Sequence, residues 1–181
     1  MNTATRSGSP LGRIPLPSPD CRSCGFTSGL IRQDAIADTL QEYAAGWQRL
    51  LRAPGLSGRR TGTPSWSLLE SGCHVRDMCL LFHTRLDAIL GQSLIAPRLS
   101  VGVGTDTARR YRDEEPQQVA EELGRAAEAL ARRLAALTDD DWERGDPRLA
   151  DPRLTVGFFT RHLLHDIAHD LARAVRESSG Q

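Results

Sequence analysis

Hydrophobic residues recur every three or four positions in four separate stretches of the chain. This spacing puts them on one face of an α-helix, which turns by about 100° per residue. The pattern therefore predicts four amphipathic helices. They cover approximately residues 30–51, 67–91, 116–137 and 155–175.

Residues typical of helix ends lie at the borders of these stretches. Ser67 precedes the second helix and Glu70 follows three residues later, which predicts a capping box between their side chains and backbone N–H groups. Gly91 is a plausible end for the same helix. Pro116 suits the first turn of the third helix, and Thr155 can cap the fourth.

The predicted fold class is all-α, a four-helix bundle, because alternating runs typical of strands are missing from the sequence. Long connections between helices favour a bundle with a crossover over an array of short hairpins. Residues 1–20 are rich in Pro, Ser and Gly and predict a disordered or extended arm. The bundle is expected over residues 21–178.

The charge balance argues against a nucleic-acid partner. The chain has 23 basic and 23 acidic residues, so phosphate attraction would be weak. No apolar run approaches the roughly 20 residues that span a bilayer, which predicts no membrane partner. The N-terminal residues also lack the apolar core of a secretory signal, so a cytoplasmic protein is expected.

Three of the five histidines, His162, His165 and His169, fall in the last predicted helix. His165 and His169 are four residues apart and share one face, the spacing of metal-binding His-x-x-x-His pairs. His74 and His83 on the second helix point about 180° apart, so only one can face this pair. His74 lies on a mixed polar and apolar face and is the candidate, whereas His83 is expected at the rim. The alternative is that all are surface or core histidines.

The four cysteines form two pairs with different expectations. Cys21 and Cys24 form a Cys-x-x-Cys motif that could be a redox pair, half of a site shared across a dimer, or two thiols in an arm. A zinc ribbon needs a second such motif. Cys73 and Cys79 cannot provide it, because they lie about 240° apart around one helix. They are expected to be small apolar core residues.

Two segments, "WSLLESGCHVRD" and "LLHDIAHDL", resemble the DinB-like superfamily, which includes mycothiol-dependent maleylpyruvate isomerases and bacillithiol transferases. The segments "DCRSCGF", "CHVRD" and "HLLHD" are similar to an actinobacterial branch of it. The resemblance covers almost the whole chain from about residue 21. The residues that carry it are Trp66, Ser67, Glu70, His74, His165 and His169.

This resemblance implies a four-helix bundle with one divalent ion, zinc or nickel, held by His74, His165 and His169. It also implies a low-molecular-weight thiol, most often mycothiol, as co-substrate. Many members carry a second histidine directly after the last ligand, where this chain has Asp170. That difference leaves the ligands in place, but contacts to the substrate are expected to differ.

Three imidazoles leave a coordination position open, as in catalytic zinc sites, where a bound thiol becomes a nucleophilic thiolate. The nucleophile is expected from outside, because no cysteine of the chain has an evident route to this position. Glu70 and Asp77, one turn to either side of His74, are the candidate catalytic residues. Glu70 could orient the imidazole, act as a base or only complete the cap. Asp77 could support the ligand or pair with an arginine.

The sequence thus predicts a metal-dependent thiol S-transferase or isomerase that acts on a small electrophile, in detoxification or secondary metabolism. Its expected partners are that electrophile and the thiol, and the chain is expected as a monomer or homodimer. A non-catalytic metal-binding module and a metal hydrolase that uses bound water are the alternatives.

Overall fold

The structure, a computed structural model, describes residues 20–55, 66–93 and 105–179. These residues form a small hairpin followed by helices. The hairpin strands are β1 (Asp20–Cys21) and β2 (Phe26–Thr27), and two 3-10 turns follow at Ser28–Leu30 and Gln33–Ala35. The helices are α1 (Ile36–Arg52), α2 (Leu68–Ile89), α3 (Thr105–Arg112), α4 (Pro116–Ala135), α5 (Asp139–Trp142) and α6 (Val156–Ser179).

The predicted all-α bundle is confirmed, with α1, α2, α4 and α6 as its long helices. The Ser67 hydroxyl accepts the N–H of Glu70, and the Ser67 N–H donates to the Glu70 carboxylate, so the predicted capping box is present. Pro116 occupies the first turn of α4. The Thr155 hydroxyl accepts the N–H of Phe158 at the start of α6. The helix ends that carried side-chain signals are therefore the ones predicted correctly.

Some predicted boundaries differ from the structure. The first helix begins at Ile36 rather than Leu30, because Leu30 is 79% exposed and contributes nothing to the buried stripe. Helix α3 lies in a segment predicted as a loop, where Tyr111 is the apolar residue that becomes buried. The arm predicted for residues 1–20 lies, apart from Asp20, outside the described residues.

The core lies where α4 packs against α1 and α2, and α6 closes the bundle against the same two helices. Close contact between helices requires two glycines that carry no signal of their own in the sequence. A Cβ atom at Gly46 would lie 2.9 Å from a methyl group of Leu171, and one at Gly72 would lie 2.9 Å from Leu51. Among the described helices, none is both long enough and apolar enough to cross a membrane.

The β1–β2 hairpin lies against α6 although the two are far apart in the sequence. Its turn is tight, because Gly25 adopts a φ of 74° and donates its N–H to the carbonyl of Cys21. Phe26 is 5% exposed, and its ring contacts the ring of His165 edge-on. Arg176 donates to the carbonyl of Ser23 over 2.9 Å. These contacts bring the Cys-x-x-Cys motif to the last helix.

Candidate metal centre

The two histidines predicted as a metal pair lie on neighbouring turns of α6. The ring centroids of His165 and His169 are 5.7 Å apart, as the four-residue spacing on one helix face requires. Both side chains are partly buried. They are therefore close enough to share an ion, and neither is fully buried.

The hairpin adds two thiols to this pair. Cys21, Cys24, His165 and His169 each offer a ligand atom, and the four atoms lie within 4.8 Å of one another. The sulfur of Cys21 is 3.6 Å from Nδ1 of His169. The structure thus contains a cluster of two cysteines and two histidines that could hold a metal ion, named here the Cys2His2 cluster.

The electrostatics of the cluster favour a thiolate at Cys21. The Ser23 hydroxyl and then the rings of His165 and His169 lower the pKa of this thiol to about 5. Hydrogen bonds that favour the charged form of a group have this effect, and the thiolate is the form that binds metals. Burial raises the pKa of Cys24 instead. The two thiols of one motif therefore differ in the ease with which they lose a proton.

Asp166 fixes the orientation of the His165 ring. Its carboxylate lies 3.2 Å from Nδ1 of His165, so Nε2 is the ring nitrogen available to an ion. Carboxylates that accept the second ring N–H of a metal-ligating histidine are a recurrent feature of metal sites. The sequence did not predict this pairing, since Asp166 is expected from it as a solvated or rim carboxylate.

His74, the third predicted ligand, is not part of the Cys2His2 cluster. Its ring packs edge-on against Trp66, with centroids 4.9 Å apart. Its Nδ1 is buried and has no hydrogen-bond partner among the described residues. Burial lowers the pKa of His74, against the opposing effect of Asp170 and other carboxylates, so the ring is held neutral. A neutral imidazole with a spare nitrogen can bind metal, and its participation stays a prediction.

The remaining two histidines lie elsewhere. His83 is partly buried on α2, and Arg133 donates to its backbone carbonyl. His162 stacks on Phe158, and its Nε2 lies 3.4 Å from the Asp166 carboxylate. Neither ring belongs to the Cys2His2 cluster.

Glu70, a predicted catalytic residue, is fully engaged by contacts within the protein. Its Oε2 accepts the N–H of Ser67 over 2.5 Å, and its Oε1 accepts from Arg112 over 2.8 Å. Burial would raise the pKa of this carboxyl, but the Ser67 N–H and Arg112 outweigh it and hold the pKa below its usual value. Of the three roles open to Glu70 in the sequence, the cap is the one whose contacts the structure shows.

Asp77, the second predicted catalytic residue, also has partners for both oxygens. Arg76 donates to Oδ1 over 2.9 Å, and the Tyr111 hydroxyl donates to Oδ2 over 2.7 Å. The same Arg76 bridges to Glu114 and Glu122, which ties α2 to α4. The arginine ion pair considered from the sequence is therefore present, and a catalytic role for Asp77 stays a prediction.

Cys73 and Cys79 are buried in the core, as predicted. Burial raises the pKa of each thiol to about 12, so both stay protonated and unreactive near neutral pH. The four cysteines therefore divide into two that face the α6 histidines and two that only fill space.

Fold and site together define a class: a helical bundle with a potential metal centre where its last helix meets an N-terminal hairpin. The chain belongs to the DinB superfamily, whose family model matches residues 32–172. This superfamily includes metal-dependent enzymes. Neither the curated proteins nor the solved structures contain a match to the chain. The matched range includes His74, His165 and His169, and it begins after Cys21 and Cys24.

The union of the cysteine motif with the histidine pair is the feature that sequence reasoning missed. The sequence left the motif open as a redox pair, half of a site shared across a dimer or two thiols in an arm, and it excluded only a zinc ribbon, which needs a second cysteine pair. Cys-x-x-Cys followed by His-x-x-x-His is itself a ligand pattern of Cys2His2 zinc sites. That spacing was a usable signal, although the 140-odd residues between the two halves conceal it.

Proposed function

We propose that the protein is a metal-dependent enzyme that uses a low-molecular-weight thiol to transfer sulfur to, or to isomerise, a small electrophile. Mycothiol is the thiol that the sequence resemblance implies, and zinc or nickel is the ion. The observation that carries the proposal is the partly buried pair His165 and His169 on the last helix of a DinB bundle.

The donor atoms at this place suit a thiol-binding ion. Imidazole binds zinc and nickel, and the two cysteine sulfurs make the cluster a soft site that favours zinc. When bound, such an ion lowers the pKa of a thiol that reaches it and so supplies the nucleophile near neutral pH. Hydrogen bonds with the side chains of Ser23, His165 and His169 already lower the pKa of the Cys21 thiol in this environment.

The chain's own residues hold and shape the site. His165 and His169 provide the ion-binding nitrogens, and Asp166 orients the His165 ring. Trp66 packs on His74 and on Tyr111, so an aromatic wall lies beside the predicted third ligand. In this proposal the wall excludes water from the electrophile and supports it through apolar contact.

Glu70 and Asp77 act here as positioning residues. Each carboxylate is bonded at both oxygens, Glu70 to the start of α2 and Asp77 to the Tyr111 hydroxyl. Asp77 thereby holds Tyr111, which borders Trp66, and Glu70 holds the first turn of the helix that carries His74. Their loss would disturb the site through these neighbours.

A non-catalytic metal-binding module is the second candidate, and one observation favours it. Four protein ligands within reach of one ion leave no coordination position free, as in structural zinc sites. In that case the ion would stabilise the protein without activating a thiol.

The proposed partners are small molecules, the electrophile and the thiol, without nucleic acid or membrane. Four free cysteines suit a reducing compartment, and the cytoplasm is the one we propose. A monomer or homodimer fits the proposal equally.

The test is a turnover assay on the metal-loaded protein. It is incubated with a chloroarene or an epoxide and with mycothiol, with glutathione or with no thiol, and adducts are followed by mass spectrometry. We expect the mycothiol adduct to form only with both ion and thiol present. His169→Ala should abolish it, whereas His83→Ala, which changes a histidine outside the cluster, should retain it.

Other outcomes would each favour a different function. Product that forms without thiol indicates a hydrolase that uses bound water. Absence of turnover with every thiol across a broad panel of electrophiles favours the non-catalytic module.

A further inference from the structure

We infer that Cys21, Cys24, His165 and His169 together bind one Zn²⁺ ion in a closed tetrahedral site, which fastens the N-terminal hairpin to α6. This ligand set differs from the three histidines that the resemblance implies. It shares His165 and His169 with that set and replaces His74 by two sulfurs. Because four protein ligands leave no position for an external thiol, this inference rests on the second candidate function, the non-catalytic metal-binding module, and not on the thiol-dependent enzyme.

The distances already approach those of a bound ion. Zinc bonds of about 2.3 Å to sulfur and 2.0 to 2.1 Å to nitrogen, at a tetrahedral angle, place the two ligand atoms about 3.6 Å apart. The sulfur of Cys21 and Nδ1 of His169 are 3.6 Å apart. All four ligand atoms fall within 4.8 Å of one another, so small side-chain rotations complete the tetrahedron.

Both histidines present a free nitrogen toward the thiols. Nδ1 of His169 lies beside Cys21 and also 3.5 Å from the Ser23 hydroxyl. Nδ1 of His165 lies against Asp166, which leaves Nε2 for the ion. The carboxylate then accepts the remaining ring N–H, which strengthens the imidazole as a ligand.

The turn between the cysteines is shaped for two sulfurs on one ion. Gly25 takes a left-handed conformation and bonds back to the carbonyl of Cys21, which folds Cys24 toward Cys21. The backbone N–H of Phe26 also donates toward the Cys24 sulfur. Such N–H groups stabilise negative charge on a sulfur ligand.

The hairpin is too small to hold this position alone. Each strand has two residues, and an isolated two-stranded hairpin is marginal in water. Its packing on α6 includes the Phe26 ring and the bond from Arg176 to Ser23, of which the second is exposed. An ion with ligands from both elements explains why two cysteines and two histidines meet at this junction.

X-ray absorption at the zinc edge of the full-length protein tests the ligand set directly. We expect about one zinc per chain, with two sulfur neighbours at about 2.3 Å and two nitrogen neighbours at about 2.0 Å. Cobalt substitution should give the sulfur-to-cobalt charge-transfer band and the intense visible bands of tetrahedral cobalt. A shell of nitrogen and oxygen alone would overturn the inference, and this measurement needs no variant.

Variants separate the two ligand sets. Cys21→Ala and Cys24→Ala should each weaken zinc binding by more than about 100-fold, beyond the effect of losing a hydrogen-bonded partner of a ligand. His74→Ala should keep the zinc content and the cobalt spectrum. The matched control is Cys79→Ala, which removes a buried thiol that is not part of the cluster and should also keep both.

Two results would contradict the inference even if turnover is observed. Zinc retained by the Cys21→Ala/Cys24→Ala protein but lost by His74→Ala would assign the ion to the three histidines. Unchanged cobalt spectra in both cysteine variants would show that the sulfurs do not bind. Helicity measured by circular dichroism should be unchanged in the cysteine variants, because Cys21 and Cys24 lie outside the helices.

Discussion

Asp166 lies between two histidines of α6 and contacts both of them. Its carboxylate is 3.2 Å from Nδ1 of His165 and 3.4 Å from Nε2 of His162. Only His165 belongs to the Cys2His2 cluster, so the two contacts have different consequences for an ion. The effect of the Asp166 carboxylate on zinc binding can therefore be assigned to one partner or the other by changing each separately.

Asp166→Ala should weaken zinc binding by about 10- to 100-fold, because the His165 ring loses the group that orients it and accepts its second N–H. His162→Ala removes the other partner and should leave zinc affinity within about twofold. Competition against a chelator of known affinity measures both. Equal losses of zinc affinity in Asp166→Ala and His162→Ala would show that Asp166 acts through the overall charge of α6 and not through its contact with His165.

Glu70 is the residue at which an acid-sensitive contribution to stability is expected. Its pKa is lowered in the folded protein, so its contribution is present above the unfolded pKa of about 4.3 and is lost as the pH falls through the folded value. Glu70→Gln should reduce the free energy of unfolding by on the order of 1 kcal/mol at pH 7. The difference between the two proteins should shrink below about pH 4.3.

Urea unfolding at several pH values measures this difference. Glu128→Gln is the control, because Glu128 forms an exposed ion pair with Arg132 on one helix and should cost little at any pH. A loss for Glu70→Gln that is constant from pH 7 to pH 3 would mean that the cap does not depend on the carboxylate charge.

At the scale of elements, the connection from α5 to α6 is held by buried charge. The Asp146 side chain is fully buried; Arg148 pairs with it, and Nε of Arg85 is 3.9 Å from its carboxylate. The Arg85 guanidinium also lies over the ring of Phe159 on α6. This connection sets the start of the helix that carries His165 and His169.

Asp146→Ala should lower the free energy of unfolding by about 3 kcal/mol, because it leaves buried arginine charge without its carboxylate. Asp151→Ala is the matched control in the same connection. Its ion pair with Arg153 is mostly exposed, and the loss should stay below about 1 kcal/mol. Thermal or chemical unfolding of the three proteins gives the comparison, and similar losses for both variants would contradict the assignment.

The long helices were predictable because periodic burial and end signals agree along the chain. Ser67, Pro116 and Thr155 marked helix starts that the structure confirms. Helix α3 and the hairpin were missed for a physical reason: neither carries a repeating apolar stripe. The α3 sequence is polar apart from Ala108 and Tyr111, and the hairpin strands are two residues long. Such elements gain their stability from contacts with distant parts of the chain.

At the scale of the whole molecule, two segments far apart in the sequence, the β1–β2 hairpin and α6, meet at the candidate metal centre. The separation along the chain between the cysteines and the histidines explains which part of the site could be predicted. His165 and His169 share one helix, so their pairing follows from local geometry. Cys21 and Cys24 reach them only through the folded bundle, which no local pattern encodes.

Removal of the ion should therefore release the β1–β2 hairpin and leave the helical bundle folded. After treatment with a chelator, amide hydrogen exchange in residues 20–27 should rise strongly, because the hairpin keeps few contacts of its own. Amides in the centres of α1 and α4, the packed core, should stay protected. Unchanged protection of the hairpin, or loss of protection throughout the bundle, would contradict this prediction.

The four thiols form a partly exposed pair and a buried pair, so thiol labelling of the wild-type protein can report both metal occupancy and unfolding of the core. A thiol-reactive dye would attach at Cys21 and Cys24 and leave Cys73 and Cys79 untouched while the bundle stays folded. An ion held by the first pair would block that attachment. The number of dyes per chain therefore reports two quantities from one wild-type sample. Labelling of up to two thiols per chain measures the fraction of metal sites that are empty. Labelling beyond two thiols measures the fraction of molecules whose core has unfolded.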